Sequence, residues 1–106
     1  MANIAKVKSN PIEVQLDKTR HLRYTLGSFA YLEETYGDID TAFNAMEKGS
    51  MTAIIDIIYA GLIHEDDTLT KKQVSHMIDM DNMNDIVEQI TKAMGNDVNG
   101  TTKNPN

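Results

Sequence analysis

The stretch Ile12-Glu13-Val14-Gln15-Leu16-Asp17-Lys18-Thr19-Arg20-His21-Leu22-Arg23-Tyr24-Thr25-Leu26 decides the fold. Ile12, Val14 and Leu16 alternate with Glu13, Gln15 and Asp17, and Leu22, Tyr24 and Leu26 alternate with Arg23 and Thr25. A period of two places one face of each run on a core. Asp17-Lys18-Thr19-Arg20 is a short polar link without the Asn-Gly or Asp-Gly pair of the tightest turns, so a hairpin with a loop longer than two residues is expected.

Helical spacing takes over beyond Leu26. Gly27-Ser28 ends the second strand, with Ser28 as the expected N-cap, and Phe29, Leu32 and Tyr36 follow at steps of three and four up to Gly37. Asp38 or Asp40 caps a second helix whose Ile39, Phe43 and Met46 share a face, and Gly49 stops it. Ser50 opens a third helix. Its Ile54, Ile55, Ile58 and Leu62 mark one face while Ile57 and Tyr59 add apolar surface on the other, the pattern of a helix that sits in the middle of a fold. After the polar break at His64 to Asp67, Thr70-Lys71-Lys72-Gln73 matches a capping box and starts a fourth helix with Val74, Met77 and Ile78. Asp79 to Asn82 interrupts that pattern, with Asp81 or Asn82 as the next cap. Met83, Ile86, Val87, Ile90 and Met94 then recur in a fifth helix expected to end at Gly95. The fold class is therefore α+β: an N-terminal β-hairpin followed by about five short α-helices.

A chain of 106 residues holds one such domain, placed here at 12–95. Residues 1–11 read as a flexible N-terminal arm. Residues 96–106 carry one large apolar side chain, Val98, and read as a disordered tail.

Composition excludes several classes of function. There is no cysteine, hence no disulfide framework and no thiolate metal site. The amino terminus lacks the apolar run of a secretory signal, and the longest apolar stretch, Ala53 to Ile63, is interrupted by Asp56 and too short for a bilayer. A cytoplasmic protein with no membrane partner is expected. The net charge of −6 opposes binding to nucleic acid. Charge is uneven: Lys6, Lys8, Lys18, Arg20 and Arg23 against Glu13 and Asp17 make residues 1–26 net +3, which leaves −9 for the remainder. These charges read first as solvated faces; the rival reading is docking of a basic partner on the acidic part.

No chemical motif completes itself. His64-Glu65 begins like a zinc-protease helix, but Thr68 stands where the second histidine belongs, and His21, His64 and His76 are dispersed surface residues. A calcium loop starting at Asp79 fails at Met83, Asn84 and Ile90. The six glycines stand singly, so no phosphate loop is present, and none of the four serines sits in a glycine-flanked elbow. No catalytic, cofactor or metal residue is assigned. Methionine is concentrated late in the chain: Met77, Met83 and Met94 fit the core pattern, whereas Met80 departs from it and suits an exposed contact.

The segment from Ile12 to Gly37 resembles the small tail assembly chaperones of long-tailed phages, of the gene-transfer-agent and prophage type. The likeness lies in Leu16-Asp17, in Leu22-Arg23-Tyr24-Thr25-Leu26 with Gly27, and in Leu32-Glu33-Glu34 closed by Gly37. Ala60 to Glu65 and the helix start from Leu69-Thr70 to Val74 are similar too. The turn departs from that pattern, with Asp17-Lys18-Thr19 where the family often has Asp-Gly. The resemblance implies binding of the tape measure protein, and of tail tube subunits, to keep them soluble during tail assembly, with the chaperone absent from the mature virion. It implies no enzyme activity and no cofactor, and allows self-association. Ile57, Tyr59, Met80 and Met83, on outer faces of the third and fifth helices, are the expected partner contacts. The alternative is a small phage structural or head–tail connector protein.

Overall fold

The computed structural model describes residues 11–102, with side chains placed as far as Met94. Strands β1 (Ile12–Gln15) and β2 (Thr19–Leu22) form an antiparallel hairpin, with Ile12 opposite Leu22 and Val14 opposite Arg20. The loop is the three residues Leu16 to Lys18, so Thr19 and Arg20, expected in the link, belong to the second strand. Arg20 consequently lies on the core face, 6% exposed. Its guanidinium folds back onto the Asp17 carboxylate through two hydrogen bonds of 2.7 and 3.0 Å, which neutralises a charge that burial would otherwise penalise.

Strand β2 ends at Leu22, four residues short of the alternation expected as far as Leu26. Tyr24 still turns inward and is buried, but Leu26 is the first residue of α1 (Leu26–Tyr36) and is 85% exposed. The helix begins early because Thr25, not Ser28, is its N-cap. The Thr25 hydroxyl accepts from the Ser28 amide at 3.2 Å and the Ser28 hydroxyl accepts from the Thr25 amide at 3.1 Å, a reciprocal capping box. Gly37 takes a φ of 91°, the conformation that stops the helix there.

Asp38 caps α2 (Ile39–Glu47), its carboxylate accepting from the Thr41 amide at 2.7 Å. Gly49, at φ 93°, then hands the chain to Ser50, which caps α3 (Met51–Leu62) as expected. Helix α3 packs against α1, α2, α4 and β2, and is thus the central element. Eight of its twelve residues are buried. Which face lies inward differs from expectation in one respect: Ile57 is fully enclosed, whereas Ile55 is only half-buried.

The Thr70 and Gln73 capping box forms and starts α4 (Lys71–Ser75), which buries Val74. Helix α5 (Met80–Thr102) begins three residues before Met83 and continues past Gly95, where a stop was expected. Among the described residues only Gly37 and Gly49 have positive φ, and a glycine ends a helix only by leaving the right-handed region. The cap of α5 is Asp79, not Asp81 or Asn82: one Asp79 carboxylate oxygen accepts from the amides of Asp81 and Asn82 at 2.8 and 2.9 Å. Helix α5 packs on β1 and buries Ile86, Ile90 and Met94 in the common core. The arm expected at 1–11 lies almost wholly outside the described residues, as does the end of the tail expected at 96–106.

Candidate functional site

An apolar groove of about 320 Å³ opens between the first turns of α3 and α5 and the chain that leaves α4. Ile54 closes its inner side at 3% exposure, with Ile55 and Ile78 half-buried beside it. Met51 and Met80 stand on its rim at 58% and 68% exposure, and Met83 lines the wall below Met80. Ser75 and Asp79 are its polar members. The local reason for this arrangement is the two N-caps. Ser50 and Asp79 start α3 and α5, and the residue that follows each cap is an exposed methionine that lines the groove. Thioethers at a rim are adaptable contacts, since they are unbranched and polarizable.

Asn82 holds one wall of the groove to the hairpin. Its side-chain amide donates to the carbonyls of Met77 at 3.0 Å and Gln15 at 3.3 Å, while its amide oxygen accepts from the Asp79 N–H at 2.9 Å. The first turn of α5 is therefore fixed to the chain leaving α4 and to β1 together.

A second polar cluster lies under α3. Asp56 is 2% exposed, and its carboxylate accepts from the Tyr36 hydroxyl at 2.7 Å and the Tyr31 hydroxyl at 3.1 Å, with Lys71 Nζ at 3.2 Å. Burial and the Asp56 carboxylate together push the Tyr36 hydroxyl well above the ordinary tyrosine range. Tyr31 moves in the same direction, burial being the main cause. Tyr31 and Asp56 hold Lys71 protonated above its usual range. Every partner of this carboxylate comes from another element (α1 or α4), so the cluster ties three helices together around one buried charge.

Two of the four expected contact residues, Met80 and Met83, are brought together in the groove. Ile57 is not on an outer face: it is fully buried, because α3 turns that side toward the hairpin, where the Ile57 carbonyl accepts from Tyr24. Tyr59 is half-buried, packs edge-on against Tyr31 at 5.5 Å between ring centroids, and does not line the groove. Met51, Ile55 and Ile78 were missed. Position after a cap is no signal for this, since Met51 follows the Ser50 cap and is exposed whereas Ile39 follows the Asp38 cap and is buried. Two of the three histidines meet, the His64 ring lying 3.1 Å from the His21 main-chain carbonyl, whereas His76 is the C-cap of α4. No group of three or more metal-ligating side chains gathers among the described residues. No helix among them is long and apolar enough to cross a membrane.

A family model described as phage tail assembly chaperone protein, TAC, matches residues 12–104, which takes in the hairpin, all five helices and every groove residue. The chain belongs to the phage tail assembly chaperone family. No curated protein and no solved structure gives a significant match. Membership assigns a general role in building the phage tail, in a family of chaperones and not of enzymes, and implies binding of phage tail proteins. On this phage tail assembly chaperone, the exposed apolar groove is the feature suited to such binding, because it offers apolar surface without convergent catalytic groups.

Proposed function

We propose that this tail assembly chaperone binds the tape measure protein, and tail tube subunits with it, in the host cytoplasm. It keeps them soluble until the tail forms and does not remain in the finished virion. The observation that supports the reading is the groove rimmed by Met51 and Met80, an exposed apolar feature on a member of a family that handles tail proteins. Long apolar-faced helices aggregate through those faces, and a small acidic domain that covers one of them lowers self-association while adding like charge to the complex. The chain's net charge of −6 suits that task.

Co-expression with the tape measure gene of the same phage tests the reading. The expected result is a complex that survives purification and a larger soluble fraction of the tape measure protein. Absence of both would end it. Mass spectrometry of purified particles should find the chain missing; a fixed stoichiometric presence would favour the structural or connector role instead. Light scattering of the free chain reads whether it also self-associates.

A further inference from the structure

Met51, Met80 and Leu26 are the large hydrophobic side chains that stand well exposed among the described residues, and two of the three meet at the groove. Leu26 stands apart from it, at the start of α1. Two such residues, supplied by different helices and converging on one opening over Ile54, are more than the scatter of single apolar side chains found on any surface.

The charge on the α5 side of the groove is negative. From Asp79 to Gln89 the chain carries Asp79, Asp81, Asp85 and Glu88 and no lysine or arginine. Asp79 itself lines the groove and Asp81 is exposed one residue beyond Met80, whereas Asp85 and Glu88 lie further round and along α5 and Glu88 is ion-paired with Lys92 at 3.8 Å. Helix α3 contributes no basic residue along its length. The α4 side carries Lys71 and Lys72, and Lys71 is engaged with Asp56. A partner lying in the groove thus meets apolar surface beneath it and the negative charge of Asp79 and Asp81 where α5 begins.

The walls also restrict the partner's backbone. They are built from helical turns and their caps, and neither strand of the hairpin lines the groove. No strand edge is presented, so an extended peptide entering here would leave its own main-chain groups without partners, whereas a helix brings its bonds with it.

We propose that this groove docks an amphipathic helix of the client tail protein. Apolar side chains at successive helical turns enter between Met51 and Met80, and lysine or arginine residues lie at the edge formed by Asp79 and Asp81. This rests on the reading that the chain binds the tape measure protein, and it adds the surface used and the chemistry recognised there.

The test uses the full chain co-expressed with the tape measure protein, with a photo-crosslinking amino acid in place of Met80, and overlapping tape measure peptides titrated against the purified chain. Expected are crosslinks to the tape measure protein, tightest binding by peptides with an apolar stripe flanked by basic residues, and weaker binding as salt rises. Met80→Glu and Met51→Glu, at exposed positions where folding is retained and checked by circular dichroism, should each weaken binding by about tenfold or more. Leu26→Glu should leave it unchanged. Wild-type binding by both rim variants would overturn the groove assignment while leaving the tape measure reading intact. Crosslinks from position 80 to the chain's own residues 1–10, which include Ile4 and Val7 beside Lys6 and Lys8, or to a second copy, would overturn it too. If the unmodified chain binds neither the tape measure protein nor any of its peptides, both readings fall together.

Discussion

The Tyr24 hydroxyl donates to the main-chain carbonyl of Ile57 at 2.7 Å, a hydrogen bond that joins the residue just past the hairpin to the middle of the central helix. The same ring lies against the next turn. A Cβ added to Gly61 would come 2.9 Å from Tyr24 Cζ and 3.0 Å from Leu22 Cβ, and the Gly61 carbonyl accepts from the Arg23 amide at 2.9 Å. Hairpin and helix thus approach as closely as a glycine allows.

Substitution at this junction should be costly in a graded way. Tyr24→Phe removes the donor but keeps the ring, and should lower stability by about 1 kcal/mol. Gly61→Ala gains some helix propensity but forces backbone and ring apart, for a net loss of about 2 kcal/mol. Urea unfolding should show lower midpoints with an unchanged slope, Gly61→Ala being the worse. Equal stability of Gly61→Ala and the parent chain would contradict the close approach.

The Asp56 cluster predicts an asymmetry between its members. Asp56→Ala leaves two tyrosine hydroxyls and an ammonium without their shared acceptor, and should cost about 3 kcal/mol. Lys71→Met leaves the carboxylate with both tyrosine donors, and the ammonium it removes is half exposed, so about 1 kcal/mol is expected. Thermal unfolding of the two variants side by side checks the order.

Alkaline pH should destabilise the fold. Burial holds the Tyr24 hydroxyl above the ordinary tyrosine value of 10.0, and Tyr31 and Tyr36 shift the same way. The folded state therefore keeps protons that the unfolded chain releases above about pH 10, so stability is intact below that point and falls as pH rises beyond it. Tyr24 alone contributes a slope of about 1.4 kcal/mol per pH unit in that window. Urea midpoints measured from about pH 9 upward should decline, and Tyr24→Phe should decline less steeply. A midpoint that stays level to about pH 12 in the parent chain would contradict the buried, protonated hydroxyl.

Asn82 offers a test of how the groove wall is held. Asn82→Ala removes both side-chain donors and the cap partner of Asp79, with an expected loss of about 1–2 kcal/mol. Hydrogen exchange should speed up in the first turn of α5 more than at Ile90. Uniform exchange across the helix would mean that Asn82 contributes only global stability.

Much of this architecture could be read directly from residue order. The stops at Gly37 and Gly49, the Ser50 cap and the Thr70 and Gln73 box are bonds between groups three or four residues apart, or backbone conformations open chiefly to glycine, so identity and spacing determine them. Thr25 and Ser28 were harder because both are good caps at neighbouring positions. The choice fell to Thr25 once Tyr24 had to turn inward to reach Ile57. Arg20 looked like loop, since burial of a guanidinium becomes affordable only when Asp17 folds back onto it.

The candidate site divides along the same line. The segment from Ile12 to Gly37 and the helix punctuation established the family likeness and the order of elements, and the unusual exposure of Met80 could be inferred from its break in the apolar pattern. Only the tertiary structure could decide between Ile55 and Ile57, because a helix apolar nearly all round does not say which side its neighbours will cover. Only it could bring Met51 to Met80, since that meeting depends on how α3 and α5 are set against each other by the hairpin, Asn82 and the shared core.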